Sequence, residues 1–161
     1  MPAVRGGGAG GTSTDLLVAN LDSVPLKFRP LIVTQFTEET PAISYDDRYL
    51  AYTVNESGVG DVWVTTFPET SKPVRISNGN AIDPAWSPDG KTLYYRANQK
   101  LIAARLGAGL KVLRTDTLFS TAAYPRNLAL TIRSYDLSRD GRKFFFGARR
   151  IVTSADGHVL A

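Results

Sequence analysis

The stretch Pro84-Ala85-Trp86-Ser87-Pro88-Asp89-Gly90-Lys91-Thr92-Leu93-Tyr94-Tyr95 decides the fold. Its centre, Ser87-Pro88-Asp89-Gly90, has the residues of a type I turn. Serine at the first position can bond back to the backbone. Proline presets φ at the second, and glycine accepts the positive φ that ends the turn. Asp89 can accept hydrogen bonds from nearby backbone N–H groups. The turn joins an inner strand, Ala85-Trp86-Ser87, to an outward strand from Lys91 to Arg96 that is rich in aromatic and β-branched residues.

The same stretch recurs. Pro41-Ala42-Ile43-Ser44-Tyr45-Asp46-Asp47-Arg48-Tyr49-Leu50-Ala51-Tyr52 is one copy. Tyr135-Asp136-Leu137-Ser138-Arg139-Asp140-Gly141-Arg142-Lys143-Phe144-Phe145-Phe146 is another. The shared serines are spaced 43 and 51 residues apart. Ile43, Trp86 and Leu137 occupy one position, large and apolar, as packing between repeats requires. In the first copy Asp47 stands where the others have glycine. It is expected to pay about 1 kcal/mol for a left-handed backbone. A weaker echo links Asp15-Leu16-Leu17-Val18, Asp61-Val62-Trp63-Val64 and Lys100-Leu101-Ile102-Ala103 as matching strands.

Further strands are expected at Leu31 to Thr34, Tyr49 to Val54 and Phe144 to Phe146. Turn signals separate them at short intervals, as at Asn55 to Gly58, Ser77 to Asn80 and Gly107 to Gly109. Long helical periodicity is absent. A period of about 40–45 residues with four strands per unit is the mark of a propeller. The fold expected is all-β: a partial β-propeller of about three four-stranded antiparallel blades. Residues 1–14 form a Gly-rich leader. Blades cover 15–150, as a partial unit (15–40), two fuller ones (41–83 and 84–134) and the start of another (135–150). Residues 151–161 are an unpatterned tail. Closed propellers take about 4–8 blades. The chain therefore reads as a fragment of a longer propeller, or as a unit that closes by association.

At Pro84 to Lys91, with its two degenerate copies, the sequence resembles the WD-repeat-like propeller repeat of TolB-type proteins. Similar repeats occur in prolyl oligopeptidase-like peptidases and in the C-terminal regions of bacterial serine/threonine protein kinases. The last blade, with Leu118-Phe119 followed by Tyr135 to Gly141, is most similar to the kinase-linked propellers. The resemblance covers roughly residues 15–147. It implies a periplasmic or extracytoplasmic setting, whereas the N-terminal residues, lacking the apolar centre of a signal peptide, read as cytoplasmic.

The 161 residues include no cysteine and one histidine, His158. Thiol nucleophiles, disulfide scaffolds and multi-histidine metal sites within this chain are thereby excluded. No apolar run reaches the length of a membrane span. The net charge of +4 is uneven: residues 1–80 sum to −3 and residues 81–161 to +7.

The motifs that could carry chemistry have simpler explanations. Gly6 to Gly11 satisfies G-x-G-x-x-G but lacks the preceding strand and following helix of a dinucleotide site. Gly90-Lys91-Thr92 ends like a phosphate loop, but Ala85 replaces the required glycine. His158 with Ser138 or Ser154 has no nucleophile elbow. Asp46, Asp89 and Asp140, with Asp47, Asp61 and Asp83, form no calcium-loop pattern, and turn capping explains Asp46, Asp89 and Asp140 without metal. The basic series Arg133, Arg139, Arg142, Lys143, Arg149 and Arg150 mixes turn and strand positions, so nucleic acid is not the expected partner. Asn55-Glu56-Ser57 is a formal glycosylation sequon.

The residues singled out are therefore structural. Ser44, Asp46, Ser87, Pro88, Asp89, Gly90, Ser138, Asp140 and Gly141 form the repeat turns. Ile43, Trp63, Trp86 and Leu137 pack the blades. The expectation is a non-catalytic propeller module that binds a protein or peptide through rim loops near Asn78 to Asp83 and Ala122 to Leu128. It has no cofactor, no catalytic residues, no metal and no membrane span, and its open blade edges permit self-association. The alternative is a sensor or accessory propeller of a bacterial serine/threonine kinase or of a prolyl oligopeptidase-like peptidase.

Overall fold

The computed structural model describes residues 14–56, 58–124 and 133–147. The Gly-rich stretch, Ser57 of the sequon, Leu128 to Ile132, Arg149, Arg150, Ser154 and His158 lie outside the described residues. The strands, in chain order, are β1 (Leu16–Ala19), β2 (Phe28–Ile32), β3 (Thr37–Ile43), β4 (Tyr49–Glu56), β5 (Val59–Thr66) and β6 (Val74–Arg75). They continue as β7 (Ala81–Trp86), β8 (Thr92–Ala97), β9 (Lys100–Leu106), β10 (Val112–Ser120), β11 (Tyr135–Leu137) and β12 (Phe144–Phe146). Among the described residues, a single 3-10 turn spans Ala108–Leu110. No helix among the described residues is long and apolar enough to cross a membrane.

The strands pair only with their sequence neighbours, always antiparallel. Strands β3 to β6 form one four-stranded sheet and β7 to β10 a second. Strands β1 and β2 form a two-stranded sheet before them, and β11 and β12 another after them. Alternation along each strand sends side chains to opposite faces, and each face meets a different neighbour. On β4, Leu50, Tyr52 and Val54 pack with Leu16 and Ile32 of the preceding sheet. Ala51, with Val62 and Val64 of β5, packs instead with Trp86, Leu93, Tyr95 and Ala104 of the following sheet. Beyond it, Ala85, Leu101 and Tyr135 form a third core with Tyr94, Phe144 and Phe146. Four successive sheets stacked face to face in this way are blades. The chain is an open, partial β-propeller.

The repeat gives each strand its place. Strands β3, β7 and β11 lead into the three serine turns and are the inner strands. Strand β1 matches β5 and β9, so β1 and β2 are the outer pair of a blade. Strands β11 and β12 are the inner pair of another. The repeat frames at Pro41 and Pro84 open inside inner strands, whose first residues are Thr37 and Ala81. Strands β6 and β10, and the full lengths of β3 and β7, are elements the repeat comparison does not name.

Ile43 departs from its expected role. Trp86 and Leu137 are buried, but Ile43 is 46% exposed. All three face the preceding blade, since each pairs with a residue that packs that way: Ile43 with Leu50, Trp86 with Leu93 and Leu137 with Phe144. The blade before Trp86 has its inner strands. The sheet before Ile43 is only an outer pair, so nothing among the described residues covers it.

Candidate binding cleft along the inner strands

The three repeat turns share one geometry. In each, the fourth residue's N–H donates to the serine carbonyl: Asp47 to Ser44 at 2.9 Å, Gly90 to Ser87 at 2.9 Å and Gly141 to Ser138 at 2.8 Å. The serine hydroxyl donates to the aspartate two residues on, at 2.6 Å for Asp46, 2.6 Å for Asp89 and 2.5 Å for Asp140. The same hydroxyl accepts the N–H that opens the next strand, from Tyr49 at 3.0 Å, Thr92 at 2.9 Å and Lys143 at 2.9 Å. The serine bond is the main cause that lowers the pKa of all three aspartates. Asp47 takes φ 55°, beside 66° for Gly90 and 70° for Gly141. Successive turns also touch. A Cβ on Gly141 would stand 3.2 Å from the Pro88 ring.

The turns fix the ends of the inner strands, and between those ends lies a cleft of about 250 Å³. Strand β3 supplies Pro41, Ala42 and Ile43, and the turn after it supplies Tyr45. Ala85 and Trp86 come from β7, and Leu137 with Asp136 from β11. The Trp86 ring stacks on Tyr49, with centroids 6.0 Å apart. Arg133 closes the cleft on one side. Its guanidinium donates to the Tyr135 carbonyl at 2.9 Å, to Asp136 at 2.9 Å and to the Pro84 carbonyl at 3.4 Å, so it ties β11 to β7. The result is a recess built from inner-strand side chains, with a mostly polar exposed lining and one ion pair at its edge. Its charged groups, Arg133 and Asp136, are bonded to each other, and among the described residues no nucleophile–base pair lines it.

Sequence reasoning reached part of this. Ile43, Trp86 and Leu137 meet at the cleft. Trp63 does not: it lies on β5 and packs toward the preceding sheet. The repeat pattern does not single out Tyr45, Arg133 or Asp136 as lining residues. Tyr45 occupies the proline position of the turn, and that departure from the repeat was the available signal. The described residues of the loops expected at the rim do not line this cleft. Residues 76–80 precede β7 and so sit at the opposite end from the turn that follows it. There Asp61 holds the linker. It accepts the Ser77 hydroxyl at 2.7 Å and the Gly79 N–H at 2.6 Å, and it pairs with Arg75. Of the second loop, Tyr124 stacks on Phe146 and its carbonyl accepts from Arg96 at 2.8 Å. The loop from 125 onward lies outside the described residues.

Polar groups deeper in the inner strands repeat as well. Thr40 and Asp83 stand at equivalent positions, at positive φ, where a bulge interrupts each strand. Thr40 shares a 2.8 Å hydrogen bond with Thr53. At the matching place Asp83 lies 4.0 Å from Arg96 and accepts the Ser134 hydroxyl at 2.7 Å, which joins β7 to the start of the next blade. One blade thus uses a hydroxyl pair where its neighbour uses an ion pair. Glu38 is fully buried, accepts from the Thr34 hydroxyl and has its pKa raised by burial. Tyr52 on β4 is pushed up to about 12, again mainly by burial.

No family model matches the chain, and no curated protein matches it. Among solved structures, TolB from Acinetobacter baumannii is similar at a TM-score of 0.54 and 17% identity, over 84% of this chain and 35% of that one. The chain thus spans well under half the length of that protein. At this identity the likeness is one of fold, and it agrees with the blade topology: this chain has a TolB-like β-propeller fold.

Proposed function

We propose that the chain is a non-catalytic binding module and that the inner-strand cleft receives a protein or peptide segment. The observation that carries this is the cleft's make-up. It is a recess walled by inner-strand side chains but with a mostly polar exposed lining, edged by Tyr45, 54% exposed, with the Arg133–Asp136 pair beside it. Such a recess takes a peptide segment through polar contacts to its backbone, with the exposed Tyr45 ring offering an edge to one apolar or aromatic side chain. Aromatic residues in a pocket of this kind are the usual source of binding energy, whereas a rim ion pair contributes orientation. The turn aspartates bond to serine hydroxyls and backbone, which leaves them structural rather than catalytic.

The test is selection from a displayed random peptide library against the folded chain. Enriched peptides are expected to carry an aromatic or large aliphatic anchor. Tyr45→Ala is expected to weaken them about tenfold or more with the circular dichroism unchanged. Peptides that bind Tyr45→Ala as well as the parent would overturn the assignment. The accessory role beside a kinase catalytic domain draws its support from the resemblance at Tyr135 to Gly141. Its test is the reading frame upstream of Met1, where a kinase domain and a membrane helix are expected.

A further inference from the structure

Strand β10 is the outermost strand of a complete blade, beside β9 and farthest from the inner strand β7. Its counterpart in the blade before, β6, has 2 residues, whereas β10 has 9. Among the described residues β10 pairs only with β9. Its other edge therefore presents backbone N–H and C=O groups on the perimeter of the propeller, away from the inner-strand cleft. An edge of this kind is a template for a further strand. We propose that β10 is a self-association surface. The β10 edges of two copies of this chain pair antiparallel about a two-fold axis at Thr115, which joins two four-stranded blades into one continuous sheet.

The charges on β10 identify a second copy as the occupant. Arg114 and Asp116 lie two apart on one face of the strand and pair with each other at 2.7 Å. Their side chains are 73% and 43% exposed. In an antiparallel pair centred on Thr115, Arg114 of each copy stands directly opposite the partner's Asp116, so two ion pairs form across the joint. The same two residues disfavour the neighbouring registers. A shift of two residues one way sets Arg114 opposite the partner's Arg114. The same shift the other way sets Asp116 opposite the partner's Asp116. A shift of one residue brings opposite faces together. The strand is thus its own complement in one register, and like charges guard it in the others.

The backbone fits the same axis. Register shifts between Val112 and Arg114 and between Thr117 and Phe119 leave Leu113 and Leu118 without partners on β9. Between these bulges, Arg114 to Thr117 pair without a break with Arg105 to Ile102. The axis falls on this regular stretch, and the bulges bend the strand on either side of it. They confine pairing to a short segment. Leu113, 61% exposed, lies across from the partner's Thr117 and buries part of its side chain there. A two-fold joint is isologous and uses the edge completely, so assembly through it stops at two copies.

Sedimentation over a range of concentrations is expected to show a reversible equilibrium between the 17.5 kDa chain and its dimer. A monomer at every concentration overturns the proposal. The chain has no cysteine, so a placed one reports its own contact. Opposed Cα atoms across an antiparallel pair stand about 4.5–5.5 Å apart, within the reach of a disulfide. Thr115→Cys, on the axis, is expected to give a linked dimer on mild oxidation. Thr117→Cys, whose two copies stand about 13 Å apart in this register, is expected to give none. No linkage through Thr115→Cys, or equal linkage from both variants, overturns the axis. Arg114→Asp sets like charges opposite each other and is expected to raise the dissociation constant about tenfold, with the circular dichroism unchanged. Adding Asp116→Arg reverses the pair and is expected to restore the parent's dissociation constant. A double variant that binds no tighter than the single one overturns the register.

Discussion

The indole N–H of Trp86 donates to the carbonyl of Ala42 at 3.1 Å, both buried, across two successive blades. It satisfies a backbone carbonyl of β3 beside the point where that strand bulges. The same ring stacks on Tyr49, so one side chain supplies both the apolar contact and the polar bond that set one blade against the next.

Trp86→Phe keeps most of the apolar contact and removes the bond. The Ala42 carbonyl is left without its donor, at an expected cost of about 1–3 kcal/mol. Trp86→Ala also opens a cavity and is expected to cost about 3–5 kcal/mol. Urea unfolding followed by circular dichroism reads both. Equal losses for the two variants would show that the bond, not the packing, holds the blades together.

Ser87 and Asp89 give a pH-dependent prediction. The serine hydroxyl holds the Asp89 carboxyl below its usual range, as Ser44 and Ser138 do for Asp46 and Asp140. With the folded-state value depressed, the unfolded chain binds the proton first as pH falls. The stabilisation is thus present above about pH 4 and lost as pH drops through the folded-state values. Ser87→Ala is expected to cost about 1 kcal/mol near neutral pH, and the gap to the parent is expected to narrow in acid. Urea midpoints on either side of about pH 4 measure it. A gap that stays constant with pH would assign the serine's effect to its bond with the Thr92 N–H alone.

At Gly60 one blade approaches the next closely. A Cβ there would stand 2.9 Å from the Ala81 carbonyl oxygen and 2.9 Å from the Ile82 Cγ2. The carbonyl belongs to a backbone that cannot swing aside, so Gly60→Ala is expected to cost about 1–3 kcal/mol by overpacking. Gly58 is the contrast. It lies in the adjacent hairpin at φ 87° with open space around it, so the cost of Gly58→Ala comes from the backbone conformation alone. Thermal unfolding compares them, and a neutral Gly60→Ala would mean that the blades can separate at this point.

Much of the architecture was legible because it is local. A turn needs serine, aspartate and glycine at fixed offsets, and three copies of that pattern locate β4, β8 and β12 directly. The aromatic and β-branched runs after them alternate with the period of a strand. Strands β6 and β10 were less legible. Strand β6 is two residues long, and β10 is largely exposed and weakly alternating. Long-range relationships left no local mark: the bond from Trp86 to Ala42, the bulges at Thr40 and Asp83, and Arg133 reaching Pro84. In the candidate cleft, the sequence marked the apolar walls but not Tyr45, Arg133 or Asp136.

By itself the sequence determined the repeat, the turn chemistry and the all-β class, since each depends on residues a few positions apart. Only the tertiary structure decided which repeats are whole blades. The same packing position is buried at Trp86 and bare at Ile43, because burial depends on the strand beyond the residue. Stacking also made one recess of side chains from three separate repeats. Contacts of that kind arise between blades, and no single repeat encodes them.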